Sequence, residues 1–175
     1  MRIVERGLFF RYALPCAGTL VRRGNISGEE LDEVVALVAA GKDAPNGWEK
    51  HFKVALTWLT FIAENNGKNV IDADVMHRYY WFMHDRVIAD RYALMGDFDP
   101  QSCRIHVGKV MNVRGKKAIL YSTKGKVAVS TLLSGPLKEG DYVAFHYGYV
   151  VEKISEDEYL ALKTLREKPL PKPRN

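Results

Sequence analysis

GDFDPQSCRIHVGKVMNVRGKKAILYSTKGKVAVS, residues 96–130, is where the pattern of the chain changes. Its first seven residues, Gly96 to Ser102, are turn formers without periodicity and mark a domain boundary. Beyond them Arg104–Val113, Ala118–Tyr121 and Val127–Ser130 are rich in β-branched residues and are separated by Arg114-Gly115 and Lys124-Gly125, the mark of short strands joined by tight turns. Asp141–Tyr147 and Tyr149–Ile154 continue the pattern and pivot on Gly148. About five strands in some fifty residues predict a small closed or half-closed barrel of the OB type. Ser155-Glu156-Asp157-Glu158 then forms a capping box for a last helix, with acids at its start and Lys163, Arg166 and Lys168 at its end to suit the helix dipole. The Pro- and Lys-rich tail, residues 168–175, is expected to be disordered.

Upstream of residue 96 the period is helical. Met1–Arg23 is apolar and aromatic, and Pro15 requires a helix there to end or kink just before it. Ser27-Gly28-Glu29-Glu30 is a capping box opening the apolar series Leu31, Val34, Val35, Val38, and Gly41 follows where a helix stop belongs. Asn46-Gly47 precedes a helical stripe over Trp48–Glu64, ended by Asn65-Asn66-Gly67. Asp72 or Asp74 caps a final helix reaching about Leu94. The expected architecture is therefore α+β with two domains: a helical bundle over residues 1–98, and a barrel with its C-terminal helix over residues 102–167.

Composition narrows the function classes. There is no run of 18 uncharged apolar residues, so no transmembrane helix is implied. The start, Met1-Arg2-Ile3-Val4-Glu5-Arg6, lacks a signal-peptide core, and a cytoplasmic location is expected. Two cysteines, Cys16 and Cys103, make neither a disulfide framework nor a zinc finger. Residues 1–100 carry 12 Lys/Arg against 14 Asp/Glu, whereas residues 101–175 carry 14 against 7. The two halves are thus suited to different partners, and the basic one to nucleic acid or an acidic protein surface. No phosphate-binding Gly-rich loop, nucleophile elbow or HExxH element is present, and no enzyme is expected.

Within the second half, Cys103 and His146 are a soft and a borderline ligand that suit iron or zinc better than calcium or magnesium. One opens the first strand and the other closes a later one, so a barrel can bring them to one rim. Cys103-Arg104-Ile105-His106-Val107-Gly108-Lys109-Val110 resembles the opening of the HypC/HupF family of [NiFe]-hydrogenase assembly chaperones, typically Cys-Leu-Ala-Ile-Pro-Gly-Lys-Val. Gly140-Asp141-Tyr142-Val143-Ala144-Phe145-His146-Tyr147-Gly148 and the following Tyr149–Ile154 are similar to the family's second signature, Gly-Asp-Tyr-Val-x-x-His-x-Gly. The resemblance covers about residues 102–167, with both motifs in order. It implies a non-enzymatic chaperone that carries iron as an Fe(CN)2CO unit, shared with a HypD-like iron–sulfur scaffold protein and delivered to the hydrogenase large-subunit precursor. By the same resemblance Cys103 is the thiolate contact, His146 the imidazole contact or its orienting neighbour, and Gly108, Lys109, Tyr147 and Gly148 meet a partner. The sequence departs from the family in two respects: about a hundred residues precede the cysteine, and Val107 replaces the proline.

Other residues are weighed against simple packing. His77 and His84, seven apart, share a helix face with Asp74 and Asp85 nearby; packing among Tyr79, Tyr80 and Trp81 is favoured over a metal pair. His51, and Cys16 beside Pro15, read as core residues, and His106 falls on the strand side away from Cys103. The aromatics Tyr121, Tyr142, Phe145, Tyr147 and Tyr149 in a basic barrel make an OB-type nucleic-acid binder the competing reading. For the helical half, partner docking or dimerisation is expected. Cys103 and His146 are expected close together and reachable from solvent.

Overall fold

The computed structural model describes residues 1–92 and 99–173. Contacts divide the chain into two compact units, Met1–Phe82 and Met83–Asn175. The expected boundary at residues 96–102 falls partly on residues 96–98, outside the described residues. The helix grouped by its pattern with the N-terminal half, His84–Tyr92, belongs instead to the second unit.

The first unit is built of short helices around aromatic side chains. After a two-residue strand β1 (Arg2–Ile3), α1 (Arg6–Ala13) buries Leu8, Phe9, Phe10 and Tyr12 and ends before Pro15, which sits in a 3-10 turn over Leu14–Cys16. Helix α2 (Gly18–Arg22) leads to α3 (Gly28–Ala39), whose capping box is formed: Ser27 Oγ accepts from Glu30 N at 3.0 Å and the Glu30 carboxylate accepts from Ser27 N at 2.7 Å. The stripe expected as one helix from Trp48 is split at Phe52 into a 3-10 turn and α4 (Lys53–Asn65). Phe9, Phe10 and Phe52 pack edge-on to one another, and Trp48 lies tilted against Phe10 and Phe52. Strand β2 (Val70–Ile71) pairs in parallel with β1, and Asp72 caps α5 (Ala73–His77) by accepting from Val75 N. A π-helical turn, Arg78–Met83, comes next.

The second unit opens with α6 (His84–Tyr92) and resumes at α7 (Pro100–Cys103). Strands β3 (His106–Arg114), β4 (Lys117–Ser122), β5 (Gly125–Ser130), β6 (Tyr142–His146) and β7 (Tyr149–Ile154) close into a barrel in the order β3-β4-β5-β7-β6. Strand β4 alternates strictly, with Ala118, Leu120 and Ser122 buried and Lys117, Ile119 and Tyr121 exposed, the period of a half-buried strand. Val110, Ala118, Leu120, Val129, Val143, Phe145 and Val150 fill the interior. The seam between β5 and β7 is narrow, a single parallel pair, Ser130 with Tyr149, supported by Ser130 N donating to Gly148 O at 2.7 Å. Helix α8 (Glu156–Arg166) starts at the second capping box, with Ser155 Oγ accepting from Glu158 N and the Glu158 carboxylate from Ser155 N, and packs against β3 and β6. Residues 168–173 form neither helix nor strand; Arg86 donates to the carbonyl of Lys172 at 2.9 Å.

Gly108 lies where β3 runs tight against β4. A Cβ there would stand 3.0 Å from Leu120 Cβ and 3.3 Å from both Leu120 Cδ1 and Tyr121 O. The backbone of β4 cannot yield to it without disturbing the ladder, so Gly108→Ala is expected to cost about 1–3 kcal/mol. Urea unfolding followed by circular dichroism checks this; an unchanged midpoint would contradict this tight approach.

Candidate functional site

Cys103 does not begin the first strand, as its position in sequence suggests; it is the last residue of α7, one helical turn set just ahead of β3. Asp99 and Pro100 account for that turn. The Asp99 carboxylate accepts from Gln101 N at 3.0 Å and Ser102 N at 3.1 Å, and Pro100 needs no partner at the first helical position. His146 ends β6 as expected. Val143 and Phe145 point into the barrel core, so His146, one residue on, belongs to the outer face. The two residues are brought to one rim by the backbone. Tyr147 N donates to Ser102 O at 3.1 Å, joining the residue after His146 to the residue before Cys103. Tyr147 holds φ +47°, the left-handed region that a bulky side chain rarely enters, and Gly148 comes after it at φ +77°.

A third residue completes the cluster. His84, the first residue of α6, presents Nε2 to Cys103 Sγ at 3.9 Å, and its ring meets the His146 ring edge-on with centroids 5.7 Å apart. Burial, then the neighbouring His146 and Arg166, holds His84 well below the usual histidine range, so the ring is neutral near pH 7. The expectation of a solvent-reachable pair is corrected: Cys103 and His84 are each 7% exposed and His146 is 0% exposed. The pattern misses this because α6 shares a unit with the barrel and packs on α7. Among the described residues, no three His, Cys, Asp or Glu side chains already stand in metal-holding positions.

Behind the cluster lies a buried ionic knot. The Asp85 carboxylate accepts from Arg104 Nε at 2.8 Å and from a terminal nitrogen of Arg166 at 3.2 Å. Arg104 also donates to the carbonyl of Arg166 at 3.3 Å and, at 3.5 Å, to that of Leu165, capping the C-terminal end of α8. Arg166 Nε donates in return to Ile105 O. Three segments, α6, the link after α7 and the end of α8, are thereby tied around one carboxylate oxygen. Arg104 and Arg166 were not read from the sequence as site residues. The signal for Arg166 was there: it follows Tyr159 and Leu162 at helical spacing, on the face that α8 buries.

The remaining candidates take other roles. His106 is buried, stacks on Phe145 and bonds Gln101 O through Nε2 at 2.8 Å; burial above all lowers its pKa to about 4. Lys109 is exposed, with its ammonium 5.1 Å from the Tyr142 ring centre, and Gly108 serves the tight approach of β3 to β4. In the first unit, His77 stacks on Trp81 at 3.8 Å and Asp74 is held by Lys68 and Arg78. His77 and His84 fall in different units, and a π-helical turn, Arg78–Met83, interrupts the regular helical count between them. His51 packs beside Trp48. Cys16 donates to Ala13 O, and enclosure of its thiol pushes the pKa up to about 11. Of the five aromatics proposed as a stacking platform, Phe145 is in the core and Tyr142 is engaged by Glu156 and Tyr159, while Tyr121 is exposed. No helix among the described residues is long and apolar enough to cross a membrane.

The fold and site together define a small closed β-barrel unit with a Cys–His–His cluster at one rim. No family model matches the chain, and no curated protein matches it.

Removing the charge of Asp85 leaves two guanidiniums buried against each other. Asp85→Asn is expected to destabilise the second unit by about 3–5 kcal/mol, the usual cost of breaking a buried ion pair from one side. Thermal unfolding measures this, and a loss below about 1 kcal/mol would show that the knot carries little.

Proposed function

We propose that this protein is a chaperone of the HypC/HupF type, which holds an Fe(CN)2CO unit in transit to a [NiFe]-hydrogenase large-subunit precursor. A HypD-like iron–sulfur scaffold protein is the donor of that cargo. The observation that carries the reading is the Tyr147 N to Ser102 O hydrogen bond, 3.1 Å long, which joins the two motifs of the family resemblance at one rim. The closed order β3-β4-β5-β7-β6 followed by a helix also suits the OB-type barrel that the strand pattern predicts and the barrel-plus-helix pattern of the resemblance. Cys103 supplies the soft thiolate for low-spin iron, and His146 the imidazole contact or its orienting neighbour. Lys109 and Gly108, opposite Tyr142 and Val143 in the β3–β6 ladder, and Tyr147 and Gly148 in the turn after β6, are the residues this reading offers to a partner. The cytoplasm, where cysteines stay reduced, is the compartment this role requires.

The reading has a mechanical consequence. A cluster this enclosed exchanges cargo only when the contact of α6 with α7 opens, and a partner drives that opening by binding the open form more tightly. An OB-type nucleic-acid role has less support, since two of its five proposed stacking aromatics are engaged within the barrel unit.

In cells whose hydrogenase maturation depends on this chain, Cys103→Ala is expected to abolish maturation while the variant still folds, with only the modest loss of melting temperature that truncating one buried thiol brings. His146→Ala is expected to slow maturation less severely. Maturation at the parental rate with Cys103→Ala would contradict the proposed role.

A further inference from the structure

The resemblance nominates His146 as the imidazole at Cys103, and the structure sets a nitrogen of His84 beside the thiol as well. The Sγ to Nε2 distance is 3.9 Å. Two ligands of one tetrahedral ion, at metal–sulfur and metal–nitrogen distances of about 2.3 and 2.0 Å, lie about 3.5 Å apart. The pair is therefore within a few tenths of an ångström of ligating geometry. His84 reaches that position from α6, outside the stretch that resembles the family, so nothing in the resemblance predicts it. Its backbone is anchored by the next residue, since Asp85 is bound to Arg104, and Arg104 directly follows Cys103. Both ends of the pair are thus held by one buried ion pair, 2.8 Å long.

We propose that His84 is a metal-binding residue of this site: Cys103 Sγ and His84 Nε2 together take one divalent transition-metal ion, with His146 edge-on behind His84. This rests on, and deepens, the reading of Cys103 as the cargo contact. One thiolate and one imidazole select borderline to soft ions such as iron(II), cobalt(II) or zinc(II) over magnesium or calcium. Two protein donors also leave positions open for ligands that arrive with the metal. That number suits a carrier, because structural zinc sites use four protein ligands and catalytic ones three.

The test is anaerobic titration of the full reduced chain with cobalt(II) alone, following the thiolate-to-cobalt absorption in the near ultraviolet. The unmodified protein is expected to bind one equivalent, Cys103→Ser to lose the band, and His84→Gln to bind at least tenfold more weakly. Loss of His146 is expected to weaken binding less than loss of His84. To guard against a misfolded variant, the ring nitrogen resonances of His84 are followed in the unmodified protein on adding zinc(II); a large shift at Nε2 is expected. Equal cobalt affinity of parent and His84→Gln, or a stationary Nε2 resonance with zinc bound, would overturn the role of His84. Absence of any cobalt binding by the parent would overturn it too. None of these outcomes touches delivery of the cyanide- and carbonyl-bearing unit, which the maturation assay with Cys103→Ala reads separately.

Discussion

One carboxylate oxygen of Asp85, shared by two buried guanidiniums, is the constraint on which the second unit depends. Two cations and one anion in an enclosed space are unfavourable unless every remaining donor finds an acceptor. Here those acceptors include the carbonyls of Leu165 and Arg166 at the end of α8 and the carbonyl of Ile105. The knot therefore does what apolar packing alone does not. It fixes the rotation of α6 and the end of α8 relative to the link between α7 and β3. Cys103 and His84 each stand one residue away from a member of the knot, so their mutual placement depends on it.

Much of the barrel was legible because its strands obey a period of two and its turns use the expected residues. Lys117–Ser122 alternates without exception, and Gly115, Gly125 and Gly148 all adopt positive φ at the turns. Both capping boxes were readable for the same reason, being local devices four residues long. The features that escaped reading are non-local or irregular. Asp99-Pro100 is an N-cap with proline at the first helical position, yet a helix of four residues has no periodicity to announce it. The π turn at Arg78–Met83 breaks the helical count that made His77 and His84 look like a pair. The place of His84 beside Cys103 depends on a fold-level contact between α6 and α7, which no spacing in the chain records. Burial of the cluster was missed for the same cause.

For a carrier of a reactive metal unit, enclosure and weak chelation are compatible demands. A thiol shielded from solvent is protected from stray oxidants, and a small number of protein donors lets the cargo leave again. The strained Tyr147 and its neighbour Gly148 close the same rim from the barrel side, where a residue in the left-handed region persists only because its surroundings hold it there. The seam between β5 and β7, reduced to one residue pair, adjoins that turn through Ser130 and Gly148. Geometry at the rim thus depends on a few main-chain contacts.

The central claim is that this rim holds iron bearing cyanide and carbon monoxide. Infrared spectroscopy of the chain purified anaerobically together with a HypD-like iron–sulfur scaffold protein, the proposed donor, tests it most directly. The account predicts sharp stretching bands of iron-bound cyanide and carbon monoxide, which disappear when Cys103 is replaced. Stable complex formation with no such bands, or bands that persist without Cys103, would contradict it.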